Sequence, residues 1–261
     1  MSPSTCAASS HALGTRAATF LVLAGLSACA GVTVPDVPPG DPYEIPWAAL
    51  SEKQSKKVHT VVDAPTAIVD LARTEVNSRL DVYEFLLDEL PFTAGVLREL
   101  KESKYQIGRP VLDETATAEQ RRDWKRTYLF DDLEGLQLQA EMVYRDARRS
   151  IYYTYGRYDL GIVQMWGRSV IIVVYGMERG ALMTEARVFS TVDGKTAAAA
   201  AKALSGAVEN TVRRKGFAFI AVAQKVAELT ASNARLLHDQ LKGSSEVDPA
   251  TLEEYRRLFV R

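Results

Sequence analysis

The chain is poor in the residues that usually carry chemistry. It has two cysteines, Cys6 and Cys29, and none after position 29. A disulfide framework, a cysteine nucleophile and an iron–sulfur centre are therefore excluded from the body, which has to be held by its core. Histidine is almost as scarce. His11, His59 and His238 lie far apart, with no cluster of His, Cys or carboxylate at ligand spacing, so no zinc or other metal site is expected. His238 and Asp239 are adjacent, a spacing that does not place both on one helix face. There is no HExxH, P-loop, GxSxG or GxGxxG pattern. Ser205 and Ser232 fall in helical runs and read as structural. Charge of one sign is also missing: 32 Lys and Arg face 33 Asp and Glu, a formal net charge of -1. A nucleic-acid partner would call for a clearly basic domain.

Carboxylates are the groups left for acid–base work. Asp131, Asp132, Glu134 and Glu141 cluster near one strand start, and Glu178 and Glu185 follow a later one. Paired acids catalyse when one is buried and its pKa raised. At turns and on alternating strand positions they read instead as solvated charge. No enzyme, catalytic residue or cofactor is expected.

What the chain does have begins at its N-terminus. Arg16 precedes an apolar run from Ala17 to Leu26, which leads into Leu26-Ser27-Ala28-Cys29. The run is too short for an ordinary bilayer span and reads as a secretion signal. The last four residues resemble the lipobox of bacterial lipoproteins. The resemblance implies cleavage before Cys29, acylation of Cys29, and anchoring of the mature chain by its lipid. Several acyl chains make such an anchor firm. Ala30, where an Asp would differ, resembles the pattern sorted to the outer membrane, with the body facing the periplasm. Residues 1–28 would be removed. They contain Arg16 as their one charge, which leaves 31 basic and 33 acidic side chains.

Residues 29–47 read as a stiff tether, with five prolines between 31 and 46. Tyr43 and Trp47 either pack back on the body or lie at the headgroups. Residues 48–242 read as one α+β domain and 243–261 as a helical extension. From 66 to 90, Ile68, Leu71, Val76, Leu80, Tyr83, Leu86, Leu87 and Leu90 give a helical rhythm, with Asp63 as cap and Pro91 as a kink or break. A short helix follows to Lys101. The period then changes to two. Strands are expected near 105–111, 127–131, 136–145, 150–157, 169–175 and 182–190, linked by short turns. Short links favour antiparallel neighbours. Lys195 to Leu241 is almost continuously helix-forming, although Gly206 and Gly216 interrupt it. Asp248-Pro249 starts a last helix through Phe259, whose Leu252, Tyr255, Leu258 and Phe259 need cover.

The expected architecture is a two-layer α+β domain. An antiparallel meander of four to six strands packs against long amphipathic helices. In element order it resembles START-like, helix-grip lipid-binding proteins, in which a curved sheet wraps a long C-terminal helix and the gap holds a hydrophobic ligand. The resemblance implies a sheet at 105–190 gripping a helix at 195–241.

Six of the 11 tyrosines, Tyr144, Tyr152, Tyr153, Tyr155, Tyr158 and Tyr175, fall within 32 residues. A tyrosine presents an apolar body and a polar tip. Tyr153 and Tyr155 share one strand face and Tyr152 takes the other. With Ile171, Val173 and Tyr175 they are the expected wall of a ligand site, and Arg157 and Arg168 would meet a polar head. The partners expected are a membrane through Cys29 and a lipid or other amphiphile. The alternative is an envelope assembly protein that binds a protein partner through its helices.

Overall fold

The computed structural model describes residues 41–133, 135–159, 164–194 and 205–260. The chain divides into the units Met1–Gly40 and Asp41–Arg261, and all described residues belong to the second. The signal run, Cys29, the tether up to Gly40, Glu134 and residues 195–204 lie outside the described residues.

The sheet starts earlier in the chain than the sequence pattern suggests. Ala67–Val76 (β1), expected to be helical, is a strand paired antiparallel with Ala181–Val192 (β7). Its inward residues are Val69 and Leu71, then Thr74 and Val76, because the register shifts between Leu71 and Thr74. A bulge adds one residue to one strand. It stretches the apolar spacing to two, three and two, which mimics a helical period. Gln106–Gly108 (β2), Thr127–Asp131 (β3), Gln137–Arg145 (β4), Arg149–Asp159 (β5) and Gln164–Glu178 (β6) complete a seven-stranded antiparallel sheet of order β1-β7-β6-β5-β4-β3-β2. A second register shift, between Met142 and Tyr144, turns Tyr144 to the face opposite Met142.

Helices cover both faces, so the two-layer expectation is corrected. Glu52–Val62 (α1) starts at Ser51, whose side chain and that of Gln54 form a reciprocal capping box. It buries Val58 and Val61 with Ile45, Leu50, Val143, Ile151, Val170 and Ile172 on the outer face. The segment before it lies there too. The Arg187 guanidinium sits 4.2 Å over the Tyr43 ring, and Trp47 stacks on His59 at 4.0 Å. Both aromatics thus pack on the body.

The larger core lies on the inner face. Leu80–Asp88 (α2) and Leu90–Glu99 (α3) are separate helices, and Pro91 occupies the first turn of the second rather than kinking one rod. Ala118–Lys125 (α4), started by a Thr117–Gln120 capping box, leads directly into β3. The long helix is described as Ser205–Leu241 (α5). Its interruption lies at Asn233 (φ -164°, ψ 84°) and not at a glycine. Asn233 Oδ1 accepts from the Leu236 amide at 2.9 Å and so caps the segment that follows. Pro249–Phe259 (α6) is capped by Asp248 as expected. Tyr255 is fully buried among Phe85, Phe92 and Phe259, whereas Leu258 points outward.

Candidate functional site

The inner face of the sheet has a filled end and a hollow end. At the filled end, four buried tyrosines act as plugs with polar tips. Tyr128 and Tyr152 donate to the carbonyl oxygens of Asp88 (3.1 Å) and Leu87 (3.4 Å). Tyr175 donates to Asp146 O at 3.2 Å, and Tyr83 pairs with Thr184 Oγ1 at 3.1 Å. Burial raises the phenol of Tyr128 to about 12 and those of Tyr83 and Tyr152 above the usual range. These hydroxyls stay protonated, and those of Tyr128 and Tyr152 serve as donors. Beside them Arg145 lies 2.7 Å from Asp88 and Arg109 lies 3.1 Å from Glu89. Burial nevertheless wins over the arginines and holds both carboxyls above their ordinary values.

At the hollow end the sheet offers small side chains. Thr154 on β5 pairs in register with Ser169 on β6, and Ser169 with Ser190 on β7. The two serine hydroxyls lie 2.8 Å apart. Gly216 lets α5 approach the sheet closely, since a Cβ there would lie 3.3 Å from Val188 Cγ2 and 3.4 Å from Leu71 Cδ1. Beside this contact, Thr154 and Ser169 line a cavity of about 50 Å³ under α5. That volume takes a few water-sized groups. Ile171 and Val188 form its floor, Ile107, Phe130, Leu136 and Leu138 one wall, and Val212 and Val222 the roof.

Lys215 also lines the cavity. Its ammonium pairs with Asp132, with side chains 9% and 2% exposed. Asp132 Oδ1 accepts from the Leu136 amide at 2.9 Å. The pair thus fastens α5 to the turn between β3 and β4.

Of the residues expected to form a ligand wall, Ile171 alone lines this cavity. Val173 and Tyr175 share its face but are packed into the core. Tyr153, Tyr155, Arg157 and Arg168 are on the outer face. The register that pairs Tyr152 with Ile171 also pairs Tyr153 with Val170 and Tyr155 with Arg168, so the expected wall mixes both faces. Strands alternate, and a list that takes 153 and 155 with 171 crosses the sheet.

The outer residues form their own shallow groove beside α1. It is lined by Lys56, Lys57, Thr60, Tyr153, Tyr155 and Arg168. Lys57 pairs with Glu141, and Arg168 lies 3.1 Å from Asp193. Tyr155 stacks on Trp166 at 5.4 Å, and these rings are 41% and 53% exposed.

The sequence carried an unused sign of Lys215. Val212, Lys215 and Phe219 follow at three- and four-residue spacing, which puts a lysine in phase with the apolar side of the helix. The acids considered for catalysis are dispersed. Glu141 pairs with Lys57, Glu178 with Arg73 and Asp132 with Lys215, while Asp131 accepts from the Leu133 amide at 2.8 Å. Among the described residues no three His, Cys, Asp or Glu are grouped to hold a metal ion. His238 Nδ1 does reach Asp239, at 3.4 Å. Among them, too, no helix is long and apolar enough to cross a membrane.

No family model matches this sequence, and no curated protein matches it. Solved structures with a partial likeness to this chain include the hypothetical protein jhp0584 from Helicobacter pylori. It is 11% identical, with a TM-score of 0.38, over 62% of this chain and 89% of that one. Ara h 8.0201 is 6% identical with a TM-score of 0.38, over 62% and 98% of the two chains. A conserved protein from Geobacillus kaustophilus is 12% identical with a TM-score of 0.38, over 60% and 93%. Likeness at this level carries no functional weight.

Proposed function

We propose that this is a non-catalytic, lipid-anchored protein of the outer membrane, facing the periplasm. It binds a lipid or other amphiphile between the sheet and α5. The observation that carries the reading is the largely apolar cavity between the sheet and α5, lined among others by Ile171, Val188, Val212 and Val222. The chain order supports a helix-grip arrangement, with two helices after β1, a sheet closing β1 against β7, and a long helix across the inner face. The lipobox at Leu26–Cys29 supports the anchor. At about 50 Å³ the cavity admits a short apolar segment, well below the roughly 300–1,000 Å³ of a drug-sized site. A longer chain enters only if α5 lifts.

Native mass spectrometry of the Cys29→Ser chain, purified without detergent from cells, tests binding. A bound amphiphile of defined mass is expected, and its loss on replacing Ile171 by Trp. A chain that arrives empty and takes up nothing from added lipid rejects the reading. Incorporation of labelled palmitate into the wild type but not Cys29→Ser tests the anchor.

A second reading, an assembly protein with a protein partner, draws on a different surface from the one expected. Most of the described apolar side of α5 is covered by the core, as Val226, Ala227, Leu237 and Leu241 are buried, while Leu236 on α5 and Leu258 on α6 are exposed singly. Exposed apolar groups instead collect on the outer face at Leu129, Tyr155 and Trp166. Site-specific crosslinking from Trp166 in intact envelopes separates this reading from the first.

A further inference from the structure

We infer that the outer face of the sheet binds a linear, uncharged oligosaccharide, stacked on Tyr155 and Trp166 and hydrogen-bonded by neighbouring glutamines. This goes beyond the amphiphile reading and does not rest on the inner cavity. Two cross-strand rows build the surface. One runs Leu129, Gln139, Tyr155 and Arg168 across β3 to β6. The next runs Gln106, Asp131, Gln137, Arg157 and Trp166 across β2 to β6. The intervening Ile107, Phe130 and Leu138 turn inward to the core. The three glutamines, Leu129, Asp131 and both aromatic residues line a groove of about 770 Å³, within the roughly 300–1,000 Å³ of ligand sites. Tyr155 also lines the shallow groove beside α1, so the two grooves meet at that residue. Such continuity suits a chain of rings rather than a single one.

The side chains decide the class of ligand. A pyranose has an apolar face of C–H groups and a rim of hydroxyls that both donate and accept. The first matches the open ring surface of Tyr155 and Trp166, stacked 5.4 Å apart and both exposed. The second matches carboxamides, which also donate and accept. Gln106, Gln137 and Gln139 are all exposed. Gln137 Nε2 donates to Asp131 at 3.0 Å, which orients one amide before any ligand arrives. A charged chain fits less well, because each cation lining the two grooves is matched by an acid. Arg98 pairs with Glu246, Lys56 with Glu52, Lys57 with Glu141 and Arg168 with Asp193. An extended peptide gains main-chain bonds at a sheet edge, whereas β3, β4 and β5 are already paired on both sides. A lipid tail laid here would cover the glutamine amides without bonding them.

The experiment is calorimetric titration of the full Cys29→Ser chain with cellohexaose, chitohexaose and maltohexaose, and with glucose and N-acetylglucosamine. At least one hexamer is expected to bind, about tenfold or more tighter than its own monomer. Tyr155→Ala and Trp166→Ala should each weaken it about tenfold by removing a stacking contact, and Trp166→Phe should keep most of the affinity. Gln139→Leu keeps the bulk, removes the amide and should weaken binding about threefold. These side chains are exposed, so the variants should melt close to wild type. Octanol, the probe of the inner cavity, should not compete. No binding of any hexamer up to about 1 mM overturns the inference. Affinity that survives in the Tyr155→Ala, Trp166→Ala double variant also overturns it, as does competition by octanol. A protein crosslinked through Trp166 in intact envelopes, and not displaced by the hexamer, assigns this face to a protein partner and overturns it too.

Discussion

A Cβ placed on Gly95 would lie 2.2 Å from the carbonyl oxygen of Glu246. Helix α3 therefore meets the segment leading into α6 backbone to backbone, and nothing larger than hydrogen fits between them. Gly95→Ala is expected to destabilise the protein by about 1–3 kcal/mol, the usual range for overpacking a rigid contact. Urea unfolding measures the loss. Hydrogen exchange should show the amides of α6 opening first, since Arg98 and Glu246 also pair across this seam at 2.6 Å. Gly176 on β6 has nothing within 4 Å of its would-be Cβ, so Gly176→Ala should leave the midpoint unchanged or slightly higher.

Most strands and the last helix were legible because their alternation or their capping is local. Leu182, Thr184, Ala186, Val188 and Ser190 run along one face of β7 as their spacing implies. Asp248 caps α6 as its sequence implies. β1 was not legible because the bulge after Leu71 breaks the period that identifies a strand. α1 has a weak sequence signal because only Val58 and Val61 are fully buried on it, although Ser51 and Gln54 carry the cap signature. The cavity was the least legible feature. Its lining joins Thr154 and Ser169 on the sheet to residues of α5 far along the chain, and small residues leave no periodic signal. The tyrosines drew attention by number, yet those on the inner face fill space instead of opening it.

Ile171 and Val170 are neighbours that face opposite ways, which separates site from scaffold. Ile171→Ala is expected to cost about 2–5 kcal/mol and to enlarge the cavity. Added octanol should then raise the melting temperature more than in the wild type, because a ligand that prefers the folded state stabilises it. Val170→Ala, on the α1 side, should also lower stability but leave the octanol response unchanged. Equal responses in the two variants would place the binding elsewhere. Differential scanning fluorimetry with and without octanol reads both.

Tyr83 and Thr184 share a buried hydrogen bond of 3.1 Å across the core. Thr184→Val leaves the Tyr83 hydroxyl without that partner and is expected to cost about 1–3 kcal/mol. Tyr83→Phe leaves the smaller hydroxyl and should cost less. Replacing both partners removes the stranded polar group, so the double variant should be less destabilised than the sum of the singles. A double-mutant cycle by urea unfolding measures the coupling.

Asp70 and Arg187 face each other across β1 and β7 in a forked pair, with contacts of 2.6 and 3.1 Å. The hydrogen bond from Arg187 holds the Asp70 carboxyl below its ordinary value. A depressed carboxylate contributes stability that is present above its unfolded pKa and lost as pH falls through the folded one. The Asp70 side chain is 59% exposed, so the contribution should stay below about 1 kcal/mol and shrink with salt. Asp70→Asn should therefore be slightly less stable than wild type at pH 7. The difference should close as pH falls below the ordinary Asp range of roughly 4. Paired denaturation curves across that window test the sign.

Asn233 is the one residue of α5 with non-helical backbone angles, and its φ of -164° is extended. Its side chain replaces the helical bond that the break removes by accepting from the Leu236 amide. Asn233→Ala takes away this cap and should cost about 0.5–2 kcal/mol, while Asn233→Asp should be nearly neutral. An alternative is that alanine, a better helix former, straightens α5 through the break. Straightening would displace Leu237 and Leu241, both buried beyond it, so the predicted sign is destabilising even then. Thermal unfolding of the Ala and Asp variants decides it, and an Asn233→Ala protein more stable than wild type would show that the break is not held by its cap.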